Sequence, residues 1–325
     1  MTGTWKTVIS LTSLALLPTR SWGQAVQTGK DASSTAIAKG RLGGSATFSN
    51  DLGIGTFVIN DGSDDPYFAQ SLRLLPNYGL FQNVSAQADG KINWEWTSPS
   101  DPGAGPTGRH VTPEDIFLRL VHSSLYRERV TDINLSGAFS AALPISFESR
   151  WRNYITRLTA TAGLDRTFIK RLTTTYTFAM TKYFPTSNVA GDTDNDLCSP
   201  GQVCAARGPV NPNFAFRNQF GVAYAFTDRL SASLTLRFTT YLKYKIGDSS
   251  EPENNDGYDN RHTYTISLGD ISANYRITDR YSAAAGVTSE QYTSDSQGNP
   301  RFPFADFETS KENYTTLYVS GTATF

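Results

Sequence analysis

From about residue 46 to the C-terminus the chain repeats one pattern, in which apolar and polar side chains alternate over segments of roughly 12–16 residues. Phe214, Phe216, Phe220, Val222, Tyr224 and Phe226 share one register, and Ala215, Arg217, Gln219, Gly221, Ala223 and Ala225 the other. After Thr227-Asp228-Arg229 the alternation resumes, with Leu230, Leu234, Leu236, Phe238 and Leu242 set against Ser231, Ser233, Thr235, Arg237 and Lys243. A period of two is that of a β-strand with one apolar and one polar face. Sixteen such residues reach ~50 Å at ~3.3 Å each, longer than most strands of globular domains. The pattern predicts twelve strands, near 46–59, 67–79, 84–97, 115–126, 132–143, 149–164, 168–184, 214–226, 230–245, 262–276, 280–293 and 312–325. Ten and fourteen are the neighbouring counts, because Ser45–Asn60 contains Gly53 and Gly55 and alternates poorly. Short turns at 80–83, 127–131, 165–167, 227–229 and 277–279 take turns with long polar loops at 98–114, 185–212, 246–261 and 294–311.

No later segment offers the ~20 apolar residues of a membrane-crossing helix, so a membrane-spanning form of this chain has to be a closed sheet. The last strand sharpens the reading. Leu317, Val319, Gly321, Ala323 and Phe325 form its apolar face, and Phe325 is the final residue. Tyr318, Ser320, Thr322 and Thr324 form a hydroxyl-rich face. A final strand ending in an aromatic residue on its apolar face resembles the C-terminal signal of Gram-negative outer-membrane β-barrel proteins. The resemblance implies an all-β fold, an antiparallel up-and-down transmembrane β-barrel of about twelve strands. It also implies insertion by the barrel-assembly machinery and contact with outer-membrane lipids and lipopolysaccharide.

The N-terminus agrees with export. Lys6, the apolar run Val8–Leu17 and the small residues around Ser21-Trp22-Gly23 read as a signal peptide over 1–23. Residues 24–44 are small and polar and read as a flexible periplasmic lead, leaving 45–325 for the barrel. The mean hydropathy of −0.37 is compatible with a barrel, because half of each strand faces a polar lumen. A net charge of −1 gives no reason to expect nucleic-acid binding. Cys198 and Cys204 share one polar segment and, in an exported chain, read as a loop-closing disulfide.

The candidate chemistry is electrostatic. Arg157, Arg171, Arg217, Arg237, Lys243 and Lys245 fall in polar registers and are expected to line the lumen. There they either favour anionic solutes or pair with carboxylates such as Asp89 and Glu95. The aromatic residues near strand ends, Trp94, Trp96, Trp151, Tyr154, Tyr183, Phe184, Tyr241 and Tyr244, suit membrane-interface girdles, with a carbohydrate-stacking platform as the sharper alternative. Asp192, Asp194 and Asp196 have the spacing that opens a calcium loop but lack its Gly and its bidentate Glu, so no metal site is expected. No cofactor motif is present.

His122, Ser124 and Asn134 resemble outer membrane phospholipase A in residue type and in strand count alone. A hydrolase needs base and hydroxyl in hydrogen-bond reach, and no enzyme activity is expected. The leading expectation is a porin-like passive channel for small solutes with a basic lumen. A non-conducting surface barrel with a plugged lumen is the alternative.

Overall fold

The computed structural model describes residues 40–53, 68–96, 110–169, 171–190, 210–244, 263–293, 301 and 314–325. Its strands are β1 (Leu42–Gly53), β2 (Phe68–Phe81), β3 (Val84–Glu95), β4 (His110–Pro113), β5 (Ile116–Arg127), β6 (Asn134–Leu143), β7 (Tyr154–Ile169), β8 (Leu172–Pro185), β9 (Pro212–Ala225), β10 (Leu230–Lys243), β11 (Thr263–Arg276), β12 (Tyr281–Tyr292) and β13 (Tyr314–Thr324). The helix α1 (Phe147–Trp151) is a single short turn between β6 and β7.

Neighbouring strands pair antiparallel, and β1 pairs with both β2 and β13, so the sheet closes on itself. β4 and β5 together make one stave. Both pair with β3, and the register slips by one residue across Glu114 and Asp115. The barrel therefore has twelve staves, as the alternation predicts. Followed from partner to partner once around, the register advances by about 16 residues, which tilts the strands by about 45° and sets a backbone radius of about 12 Å. Twelve residues at that tilt rise ~28 Å, close to the apolar band of an outer membrane.

The two faces separate as the pattern requires. Phe48, Leu74, Leu120, Phe139, Phe220 and Val319 point outward and are exposed, while Ser71, Thr159, Thr181, Ser233 and Thr235 point inward and are buried. On β13 the outward set includes Val319, Gly321 and Phe325, and Thr322 turns inward to meet Thr47 Oγ1 at 2.9 Å.

Three local differences from the sequence pattern have physical causes. β1 begins at Leu42, because Gly43 and Gly44 belong to the strand. The Gly44 N–H donates to the Phe325 carbonyl at 3.0 Å, and the Phe325 N–H donates to the Gly44 carbonyl at 3.1 Å. A Cβ at Gly44 would lie 2.8 Å from Phe325 Cζ and 2.9 Å from the Leu75 carbonyl oxygen, so glycine is what lets the seam close there.

β7 runs on to Ile169 rather than turning at 165–167, since Asp165 pairs across to Asn134 and Thr175 and accepts from Asn134 Nδ2 at 2.9 Å. Residues 149–153, expected as the start of a strand, belong instead to the capped helix and the turn that follows it. The Ser149 N–H donates to Ser146 Oγ at 3.1 Å, and Asn153 turns the chain with φ 55°.

Short turns and long connections lie at opposite ends of the staves. In the turn after β5, Glu128 accepts the Thr131 hydroxyl and the Val130 and Thr131 N–H groups, which hold its carboxyl below the usual range. The signal-peptide segment 1–23, the lead to residue 39, Cys198, Cys204 and the acidic run 192–196 lie outside the described residues.

Replacing Gly44 with Ala is expected to lower stability by about 1–3 kcal/mol through overpacking against Phe325. The urea midpoint of the folded, heat-modifiable form measures it, and an unchanged midpoint would show that the seam has slack. Removing Phe325 takes away one backbone hydrogen-bond pair and the ring beside Gly44, and a normal yield of inserted barrel would contradict its role in closure.

Candidate functional site

Charge gathers in the half of the lumen towards the long connections. Allowing for the strand tilt, Asp51 on β1, Asp115 beside β5, Arg157 on β7, Arg217 on β9, Arg237 on β10 and Glu290 on β12 stand at one height, within roughly one residue's rise. Arg157 is 6 % exposed, Arg217 6 % and Arg237 3 %, so three guanidiniums are sunk into one belt of the barrel. Arg237 approaches Glu290 Oε1 at 3.5 Å, and Arg217 sits in the field of Arg237 and Arg119.

The other half of the belt is built from carboxylates that carry their own partners. Asp89 accepts Arg73 Nε at 2.7 Å and Arg119 Nη2 at 2.6 Å, tying β2, β3 and β5 together. Glu114 Oε1 accepts Lys91 Nζ at 3.0 Å and Asn93 Nδ2 at 2.9 Å. Asp115 accepts the Ser146 N–H at 2.9 Å, together with the Ser149 hydroxyl and Arg157. Helix α1 is thereby pinned to the lumen wall by Asp115, whose charge Arg157 balances.

Glu114 and Asp115 are adjacent in sequence, yet both turn inward and are buried. A regular strand sends neighbours to opposite faces. The one-residue slip between β4 and β5 is a β-bulge that lets two successive carboxylates share the lumen.

Asp51 and Asp270 make no ion pair among the described residues. Asp51 accepts the Ser49 hydroxyl at 3.0 Å. Asp270 is hydrogen-bonded by the Tyr318 phenol, which also reaches Ser272. Tyr318 extends from β13 across β12 to β11, and only a glycine at 286 leaves room: a Cβ there would lie 2.6 Å from Tyr318 Oη and 2.6 Å from the Ile271 carbonyl oxygen. Around these residues the inward wall of β12, β13 and β1 is made of small hydroxyl groups such as Thr47, Ser49, Ser320 and Thr322, all half-buried.

Above the belt, towards the long connections, lies a tier of tyrosines. Tyr154 and Tyr183 have ring centroids 5.3 Å apart, Tyr241 stacks on Tyr264 at 4.7 Å, and Tyr264 meets Tyr292 at 5.9 Å. Tyr154, Tyr183 and Tyr241 are inward, so they are not part of an interface girdle. Trp94, Phe184 and Tyr244 keep the outward parity that a girdle needs. Outside the barrel, Lys182 is enclosed by the rings of Phe184, Phe214 and Tyr244.

The lumen candidates separate on this map. Arg157, Arg217 and Arg237 belong to the belt, and Lys243 lies above it, 5.5 Å from the Tyr264 ring. Arg171 does not line the lumen. It is exposed beside the β7–β8 turn and donates to the Phe226 carbonyl at 2.9 Å, because that turn lies further along the chain than the sequence suggests. Lys245 lies outside the described residues. Arg73, Arg119, Asp115 and Asp51 were missed as site residues. Their polar registers were visible, but their partners come from staves distant in sequence.

His122, Ser124 and Asn134 do not converge. The pairing of β5 with β6 shifts between His122 and Tyr126, which breaks the shared face of His122 and Ser124. Asn134 turns inward to Asp165 and the Ser123 carbonyl.

No protein-family model and no curated protein matches the chain. Solved structures do. The crystal structure of the COG4313 outer membrane channel from Pseudomonas putida F1 superposes with a TM-score of 0.57 at 13 % identity, covering 91 % of this chain and 99 % of that one. The KdgM porin in complex with disordered oligogalacturonate gives 0.43 at 8 % identity, covering 86 % and 99 %. The outer membrane channel DcaP of Acinetobacter baumannii gives 0.37 at 11 %, covering 90 % and 99 %. At 13 % identity the first likeness speaks for the fold: the chain has the barrel architecture of that outer membrane channel.

Replacing Asp89 with Asn leaves Arg73 and Arg119 without their shared carboxylate. A loss of about 3 kcal/mol is expected, as for one partner removed from a buried pair. Urea unfolding of the refolded barrel measures it, and a change below about 0.5 kcal/mol would show the triad to be fully hydrated.

Proposed function

We propose that this protein is a passive channel of the Gram-negative outer membrane, admitting small solutes through a lumen with a strongly basic wall. The observation that carries the reading is the charged belt inside a closed barrel whose outer face is apolar. Ionised groups spread around an interior of this radius are tolerable where water shares the lumen with them. The basic wall consists of Arg157 on β7, Arg217 on β9 and Arg237 on β10, and the hydroxyl-rich wall of β13 and β1 lies beyond it.

Export by the segment 1–23, a disulfide between Cys198 and Cys204, and insertion through the strand bearing Leu317, Val319, Gly321, Ala323 and Phe325 belong to the same proposal. So does residence among outer-membrane lipids and lipopolysaccharide, where Lys182 and its aromatic neighbours suit the interface. The barrel likeness to a known outer membrane channel supports the class of function without naming a solute.

One observation favours a second reading, a structural barrel with a plugged lumen. The networks around Asp89 and Asp115 join side chains from several staves and are almost completely buried.

Single-channel recording of the refolded protein separates the two. Discrete, reproducible steps are expected, with an anion preference that falls in Arg217→Gln and in Arg237→Gln, read as a shift of the reversal potential under a salt gradient. A barrel that inserts, is heat-modifiable and stays silent would establish the plugged reading.

A further inference from the structure

Asn211 immediately precedes β9 and is fully buried, although it belongs to no part of the charged belt. Its backbone and side chain together hold three connections at the end of the barrel where the long connections lie. The Asn211 Nδ2 group donates to the Arg152 carbonyl at 2.9 Å, between β6 and β7, and to the Ser187 carbonyl at 2.8 Å, between β8 and β9. The Asn211 N–H donates to the Asn188 carbonyl at 2.7 Å. Its own carbonyl accepts the Tyr244 N–H at 3.0 Å, where the chain leaves β10. An amide supplies both side-chain donors without adding a charge among the carbonyls.

Arg152 is the C-terminal cap of α1, so Asn211 holds the end of that helix. The other end is held by Asp115, which accepts the Ser146 N–H and the Ser149 hydroxyl. Between the two holds, Glu148 and Arg152 pair at 2.9 Å, each side chain only 15 % exposed. The Arg152 guanidinium lies in the field of Tyr154 on β7 and of Tyr264 on β11. Those two staves are four apart around the ring, so the helix carries its ion pair over the lumen and not out to solvent.

The facing wall is open. Thr47 and Ser49 on β1 and Ser320 and Thr322 on β13 are only half-buried on the inner face. Thr181 on β8 and Arg217, Gln219 and Ala223 on β9 are buried. The water-accessible part of the lumen is therefore displaced towards the seam between β1 and β13.

We infer that Asn211 is a positioning residue: it clamps α1 as the fixed ceiling of the β7–β10 side, and solutes pass through the gap between the Glu148–Arg152 pair and the seam wall. The width of that gap sets the size limit of the passage. This step rests on the channel reading above. Freeing either end of α1 lets the helix leave its place and widens the gap, while every charge of the belt stays where it is.

Uncharged sugars of rising size, arabinose, glucose and sucrose, test the inference in vesicles carrying the refolded protein, with entry read from swelling. Sucrose is expected to lag well behind arabinose in the unaltered protein. Asn211→Ala removes the bond to the Arg152 carbonyl, and a hydrogen bond of ordinary strength is a factor of about five in the balance between held and released helix. The ratio of sucrose to arabinose entry should then rise at least about threefold. Ser149→Ala frees the other end and should raise the ratio in the same direction, so one variant failing to fold leaves the other to decide.

A lowered urea midpoint with an unchanged ratio would overturn the inference, because Asn211 would then be a structural tie alone; the channel reading would stand. Sucrose entering the unaltered protein as fast as arabinose would also overturn it, since no size limit would exist to be set. If arabinose itself did not enter, the channel reading would fall and the inference with it.

Discussion

Closure of the sheet is the constraint from which the rest of this molecule follows. In hydrocarbon an open strand edge leaves a row of N–H and C=O groups with nothing to bond, and pairing β1 with β13 removes the last such row. Closure at twelve staves imposes a tilt, a stagger and a radius together, so the height of every inward side chain is set by register rather than by local preference. The requirement reaches down to single residues. Gly44 is small because the chain end packs against it, and the first and last strands exchange hydrogen bonds at that point.

Once closed, the barrel has an inside too narrow to ignore the charges placed there. Most inward carboxylates are met by a cation from another stave: Asp89 by β2 and β5, Asp115 by β7, and Glu290 by β10. These ties cross the sheet where backbone pairing cannot, and they hold α1 against the wall. The tyrosines above them form a small apolar cluster inside an otherwise polar interior. Rigidity and permeation thus draw on the same residues.

Much of this was legible in the sequence because alternation sustained over a dozen residues suits little besides a long strand between two unlike environments. The segment from Phe214 to Lys243 showed two strands and the turn between them almost to the residue, and the seam was visible in Leu317 to Phe325. Legibility failed where one residue departed from the period. Asp165 looked like a turn but continues a strand because Asn134 accommodates it. Tyr154 and Tyr183 looked like girdle residues until the register placed them inside. Asp89 was legible as an inward partner for cations, but that it holds Arg73 and Arg119, and that Asp115 holds Arg157, was not, since a cross-stave pair depends on the stagger of the whole barrel and leaves no spacing in the chain.

The bulge at Glu114 and Asp115 shows how such a lumen can change. Elsewhere, inserting or deleting a residue in a stave would exchange its faces, sending charge into lipid and apolar groups into water. Here the extra residue is already absorbed by the break between β4 and β5, so the exchange is confined to two positions. Loss of either codon at this site would remove one carboxylate, restore regular alternation with the other still facing the lumen, and release either Lys91 or Arg157 from its partner. The stave thus holds a place where natural variation by length, and not only by substitution, can retune the charge of the passage without undoing the fold.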